Sequence, residues 1–196
     1  LIIPIGRWAL NSACKQLREW SDMGFTDITM AVNVSARQFK DENFVQMIYE
    51  IIKETGIDPK RLELEITETI ALEDLEYTIE VIKELNKIGV RFSLDDFGTG
   101  YSAMSYLKRL PISNVKIDKS FLDTVLEDAN DQKIIQAIIN LAYNLDLQVI
   151  AEGVEQLEHE KLLQKLNCNM AQGYLYSRPV PKEKAEELLN STEFLN

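Results

Sequence analysis

Apolar positions along the 196 residues follow two spacings that take turns down the chain. At three- and four-residue intervals, Ile5, Trp8, Ala9, Ala13, Leu17 and Trp20 predict a helix over 3–20. Over 28–34 the period drops to two, with Met30, Val32 and Val34 opposing Asn33, which predicts a strand. Phe44, Met47, Ile48, Ile51 and Ile52 then mark one face of a helix over 44–55, stopped by Gly56. The same exchange of periods predicts strands at 62–67, 91–95, 115–118, 148–152 and 170–175. It predicts helices at 75–88, 131–145, 156–166 and 181–189. A short helix over 102–109 ends before Pro111, and Pro181 suits a first helical position. The tail from Asn190 is expected to fray.

Strict alternation of strand and helix implies parallel strands joined by crossover helices. About six such units are present, in one domain over 1–196 with no linker or low-complexity stretch. Two architectures compete: an open doubly wound sheet and a closed (β/α) barrel of the TIM type. Strand parity favours the barrel. Leu62, Leu64 and Ile66 share one face while Glu63, Glu65 and Thr67 share the other. Val90, Phe92 and Leu94 likewise oppose Arg91, Ser93 and Asp95, and Val115 and Ile117 oppose Lys116 and Asp118. A sheet covered by helices on both sides needs two apolar faces; a barrel with a polar upper lumen needs one. Barrels of this class close with eight strands. Six units leave the ring short, so the rest comes from upstream of Leu1 or from a partner. The absence of an initiator Met fits a chain cut from something longer.

Charge narrows the partners. The formal net charge is −11, from 21 basic and 32 acidic residues. That opposes binding to polymeric nucleic acid, which rests on neutralising phosphates. It leaves room for a small phosphate ligand if a metal supplies the positive charge. No apolar run reaches the ~18 residues of a membrane span. Two distant cysteines, Cys14 and Cys168, read as buried thiols in a reducing, cytoplasmic setting. The single histidine, His159, reads as a solvated surface group. One histidine excludes chemistry built on histidine pairs or clusters within this chain.

The candidate chemistry centres on Leu94-Asp95-Asp96-Phe97-Gly98-Thr99-Gly100-Tyr101. Two adjacent carboxylates at a strand end repel, and in a dry setting a hard divalent cation relieves them. A solvated turn is the plain alternative. The other strand ends change the balance. Each carries a polar residue near its carboxyl end: Asn33, Glu65, Asp95 with Asp96, Lys116, Glu152 and Gln172. In a (β/α) barrel those ends converge on the active face. The oxygen donors suit two Mg²⁺ or Mn²⁺ ions, and Lys116 can hold a phosphate or a water. Two such ions form a clamp for phosphodiester hydrolysis.

The order and spacing of these segments resemble the EAL-domain family of bacterial cyclic di-GMP phosphodiesterases. The stretches that carry the resemblance are Val32-Asn33-Val34-Ser35, Glu63-Leu64-Glu65-Ile66-Thr67-Glu68, Asp95 to Ser102, Lys116-Ile117-Asp118, Ala151-Glu152-Gly153-Val154-Glu155 and Gln172-Gly173-Tyr174. The resemblance covers essentially the whole chain and implies a (β/α) barrel. It implies that Asn33, Glu65 and Asp95 hold one metal, and that Asp96 with the shared Asp95 holds the second. Glu152 becomes a metal-site carboxylate or general base, and Lys116 orients the attacking water. Glu68 anchors the loop from Phe97 to Ser105, which in the family couples metal binding to dimerisation. Glu155 and Gln172 line the site. The implied reaction opens cyclic di-GMP to linear pGpG. The implied partners are a second copy in a homodimer and sensor or GGDEF domains in the parent chain. The family's name-giving Glu-Ala-Leu motif, and a substrate-contacting arginine after it, are absent from these residues. Their absence leaves metal affinity, substrate binding and catalysis by this fragment open, while the full-length protein is expected to be competent, since every downstream ligand is present. A non-catalytic cyclic di-GMP receptor, or a dimerising regulatory domain, stands as the alternative.

Overall fold

The computed structural model describes residues 1–98 and 106–191. Six strands alternate with helices: β1 (Met30–Asn33), β2 (Leu62–Thr67), β3 (Arg91–Phe97), β4 (Asn114–Ile117), β5 (Gln148–Glu152) and β6 (Met170–Gln172). The main helices are α1 (Ile2–Asp22), α2 (Ala36–Phe39), α3 (Phe44–Thr55), α4 (Glu68–Glu73) and α5 (Leu75–Asn86). They continue with α6 (Ser120–Asp123), α7 (Ala129–Asn144), α8 (Leu157–Lys165) and α9 (Lys182–Asn190). Of the helix expected over 102–109, residues 102–105 lie outside the described residues, and Tyr106 and Leu107 are helical.

The strands lie in one sheet in the order β1-β2-β3-β4-β5-β6, every neighbouring pair parallel. Sequential order excludes the doubly wound alternative, whose strand order reverses at a switch point. With crossovers of one hand, sequential order puts all helices on one face and leaves the other as the inside of a curl. The helix-facing residues confirm this. Leu62, Leu64, Ile66, Phe92, Leu94, Val115, Ile117 and Ala151 are completely buried in a single core. The curl is visible on the inner face, where Thr29 just before β1, Ala31 of β1 and Met170 and Gln172 of β6 line one hollow of about 180 Å³. The sheet is a half-barrel, because β1 and β6 do not pair with each other.

The helix layer nonetheless meets across that opening. Trp20 and Gln16 of α1 donate to Glu186 Oε1 of α9 at 3.1 and 3.4 Å, and Lys182 lies 3.8 Å from Glu19. The buried stripe of α1 differs from the predicted one. It is Gly6, Leu10, Cys14 and Leu17, while Ile5 and Trp8 are 54% and 70% exposed. The reason is a close approach: a Cβ on Gly6 would sit 1.6 Å from Gln38 Nε2. The helix therefore packs on the side that carries Gly6, and only Leu17 belongs to both stripes.

Four short helical pieces were not visible as periodicity: α2, α4, α6 and a 3-10 turn at Pro59–Arg61. Each has at most six residues, too few to repeat a helical period. β6 also ends at Gln172 rather than 175. There Gly173 passes so close to Val154 that a Cβ would lie 2.1 Å from its carbonyl oxygen. Pro181 caps α9 rather than opening it.

Candidate functional site

The carboxyl ends of β2, β3, β4 and β5 deliver side chains to one point. Lys116 leaves β4 on the concave face and is 3% exposed. Its Nζ lies 2.8 Å from Glu65 Oε1 on β2, 2.7 Å from Glu152 Oε1 on β5 and 3.6 Å from Asp95 Oδ1 on β3. Parity explains the convergence: Glu65, Asp95, Lys116 and Glu152 are all on the inward-pointing phase of their strands. Asn33 pairs in register with Glu65, and Gln172 with Glu152, so the two amides flank the acids on the open edges.

A β-bulge shapes the middle of the rim. Leu94 pairs with Val115 but Phe97 pairs with Ile117, so β3 spends one extra residue between them. Asp96 absorbs it at φ 55°, a left-handed conformation that Asp tolerates better than most residues. Its N–H donates to Asp95 Oδ1 at 3.1 Å. The bulge returns Phe97 to the core while leaving both aspartates half-buried at the mouth.

Electrostatics follow from crowding. Burial raises the proton affinity of Asp96, and the charges of Asp95 and Asp118 raise it further; Lys116 opposes them only in part. Burial also raises Glu152, with Lys116 opposing and Asp95 and Glu65 adding. For Lys116, burial alone would weaken the ammonium, but its bonds and charge contacts with Glu152 and Glu65 outweigh it and hold the lysine protonated.

The rim is supported from behind. Glu68, 3% exposed at the start of α4, accepts from the Gly98 N–H at 3.3 Å. It thus touches the second residue after the aspartates, and residues 99–105 of the loop assigned to it lie outside the described residues. Val154 N–H donates to Gln172 O, and Leu175 N–H to Val154 O, tying the segment after β5 to the one after β6. Glu155 is exposed and lines a shallow hollow of about 210 Å³ with Lys119, Glu152, Gly153, Gln172, Gly173 and Tyr174. Lys119 was not among the residues singled out from the sequence, and Tyr174 was quoted there only as the end of a matching stretch, with no role in the site. The glycines of Glu-Gly-Val-Glu and Gln-Gly-Tyr were the signal, since each marks a close backbone approach. One layer deeper, Asn114 Nδ2 donates to Glu63 Oε1 at 2.7 Å, both buried. That lower polar rung was legible in the parity but was not assigned a place.

His159 corrects the sequence reading. It is 6% exposed rather than solvated, because it shares the inner face of α8 with Leu163. Its Nδ1 faces the Glu155 N–H at 3.5 Å.

The donor set, carboxylates and an amide oxygen, has the chemistry of a hard divalent ion. As it stands, the set is arranged around an ammonium instead. Among the described residues, no three His, Cys, Asp or Glu side chains are gathered so as to hold an ion.

Fold and site together define an α/β half-barrel with an acidic, lysine-centred mouth at the carboxyl ends of its strands. The chain belongs to the EAL domain family, whose model matches residues 1–179. It is 42% identical over 189 residues to the signaling protein YkoW of Bacillus subtilis, covering 96% of this chain and 24% of that protein. It is 42% identical over 191 residues to the bifunctional diguanylate cyclase/cyclic di-GMP phosphodiesterase MucR of Pseudomonas aeruginosa, covering 97% and 27%. The chain thus spans about a quarter of the length of these curated relatives. A solved MucR phosphodiesterase in complex with c-di-GMP superposes with a TM-score of 0.91, over 94% of this chain and 75% of that one, at 42% identity. The manganese and c-di-GMP complex of BlrP1 from Klebsiella pneumoniae superposes at 0.79, over 90% and 45%, at 26% identity.

Proposed function

We propose that this chain carries the metal-dependent site of a cyclic di-GMP phosphodiesterase, which opens the cyclic dinucleotide to linear pGpG. The observation that carries the reading is the meeting of Glu65, Asp95 with Asp96, Lys116 and Glu152 at one rim of a parallel half-barrel. The names of MucR and the c-di-GMP in its complex support the substrate. The manganese in BlrP1 supports the ion class, Mg²⁺ or Mn²⁺.

In this reading Asn33, Glu65 and Asp95 hold one ion, Asp95 and Asp96 a second, and Glu152 completes the acidic set. When bound, such a pair lowers the pKa of a water and draws charge from the reacting phosphate. The chain's own residues do the rest. Lys116 presents N–H donors to a water or a phosphate oxygen. Burial raises the proton affinity of Glu152, with Lys116 opposing, and its place 2.7 Å from Lys116 Nζ suits a group that takes up a proton. Glu155 and Gln172 border the hollow beside it, and Glu68 steadies the exit of β3 through Gly98. Residues 1–196 are read as one EAL-type domain, working as a homodimer alongside sensor or GGDEF domains of a cytoplasmic parent chain.

A second reading, binding of cyclic di-GMP without cleavage, is favoured by one observation: the acids close on Lys116 rather than on each other. Incubation of the parent protein with cyclic di-GMP and Mn²⁺, followed by chromatography, separates the two. Linear pGpG supports the enzyme; retention of intact ligand supports the receptor. Asp95→Asn is expected to lower turnover by on the order of a hundredfold or more, because it weakens the shared ligand. Near-normal turnover in that variant overturns the two-ion assignment.

A further inference from the structure

The lysine at the centre of the rim has a second consequence for the protein without metal. Its three nearest carboxylates come from three strands, and each is among the proposed ion ligands. An ammonium has three N–H donors and no acceptor; Glu65 and Glu152 lie at hydrogen-bond distance from it, and Asp95 at 3.6 Å is held by charge alone. The side chain is almost wholly out of water, as is that of Glu65. Buried carboxylates facing one another with no cation between them repel strongly.

We propose that Lys116 is a resident counter-ion that holds the acidic rim together in the absence of metal, and that metal loading proceeds by exchange. The carboxylates turn from the ammonium to the incoming ions. This rests on the metal reading above. Two features of the structure carry it. The acids are spaced around Nζ at 2.7–3.6 Å. Lys116 and Glu65 are also almost wholly out of water, where a charge left without its partner is costly. An ion entering this rim therefore competes for lone pairs already in use, instead of filling a preformed cage.

The test compares melting of the wild-type chain and Lys116→Met in EDTA and in saturating Mn²⁺. Removing one member of a buried charge cluster is expected to lower the EDTA midpoint by roughly 10 °C. Mn²⁺ should restore at least half of that loss. The wild type should differ much less between the two conditions. A variant that folds only with Mn²⁺ is the same result in stronger form. A midpoint in EDTA equal to that of the wild type overturns the proposal, and so does an equal loss with and without Mn²⁺.

Should Lys116→Met fold under neither condition, the wild type decides. Nuclear magnetic resonance of ¹⁵N-labelled lysine reports hydrogen exchange at the Lys116 ammonium during a Mg²⁺ titration. Exchange should accelerate about tenfold or more as the carboxylates let go. Saturable Mg²⁺ heat by calorimetry with unchanged exchange overturns the proposal and leaves the metal reading standing. No heat with either ion overturns the metal reading, and this inference with it.

Discussion

At the scale of single residues, burial decides chemical character. Cys14 is fully buried, and burial alone pushes its thiol up to about 11. The thiolate is the reactive form, so Cys14 should resist alkylation near neutral pH in the folded chain. Cys168 is also buried and raised. Mass spectrometry after brief iodoacetamide treatment should find both thiols unmodified, and both modified once urea is added. Glycine supplies a second residue-scale test. A Cβ at position 173 would meet Val154 O, N and C at 2.1, 2.3 and 2.6 Å, all backbone atoms that cannot step aside. Gly173→Ala should therefore cost on the order of 1–3 kcal/mol, read as a lower denaturation midpoint. It should also weaken ligand binding, because Glu152 and Gln172 flank the displaced segments. Both residues could be named from sequence. That Cys14 lies on the packed side of α1, and that Val154 is what Gly173 meets, could not.

At the scale of elements, turn and cap chemistry fills in what periodicity misses. Asp74 ends α4 and caps α5, its carboxylate accepting from the Tyr77 N–H at 3.1 Å. Replacing it with Ala leaves that N–H without its side-chain partner and should cost about 1 kcal/mol. The melting midpoint should fall by ~2–4 °C. Long elements such as α3 and β2 were legible to the residue because their apolar positions repeat over two or more turns or pleats. α4 was not, since Thr67 Oγ1 accepting from Ile70 N–H starts a helix in six residues that read as loop. The bulge in β3 was likewise invisible. It is a mismatch of count between two strands, and a single strand carries no record of its partner's count.

At the scale of the whole molecule, the concentration of acid on one rim sets how stability responds to pH and metal. Asp96 and Glu152 both bind protons more tightly in the fold than a free carboxylate does. Each therefore opposes folding while ionised. That opposition disappears as pH falls from above the raised folded value to below the unfolded one. In EDTA, Asp96→Asn should raise the melting midpoint at pH 7, and the gain over wild type should shrink to nothing towards roughly pH 4. Asn keeps the left-handed backbone tolerable. The same variant should bind Mn²⁺ more weakly, a trade of function for stability expected at a charged site. A gain that persists unchanged at low pH would show that charge is not its source. Among the described residues no helix is long and apolar enough to cross a membrane, as the hydropathy pattern indicated.

The sequence alone determined the alternation of strand and helix, the polar inner phase of the strands and the acids that would crown them. These are properties of neighbours along the chain, and periods of 2 and 3.6 express them locally. Tertiary structure decided that the sheet runs in sequential order and curls, that β3 bulges at Asp96, that His159 turns inward, and that Lys116 stands at the centre of the acids. Those outcomes depend on packing between elements; Glu65, Asp95, Lys116 and Glu152, for example, lie on different strands far apart in the chain. Only packing of the strands against one another brings such residues within the few ångströms over which charge and hydrogen bonds act.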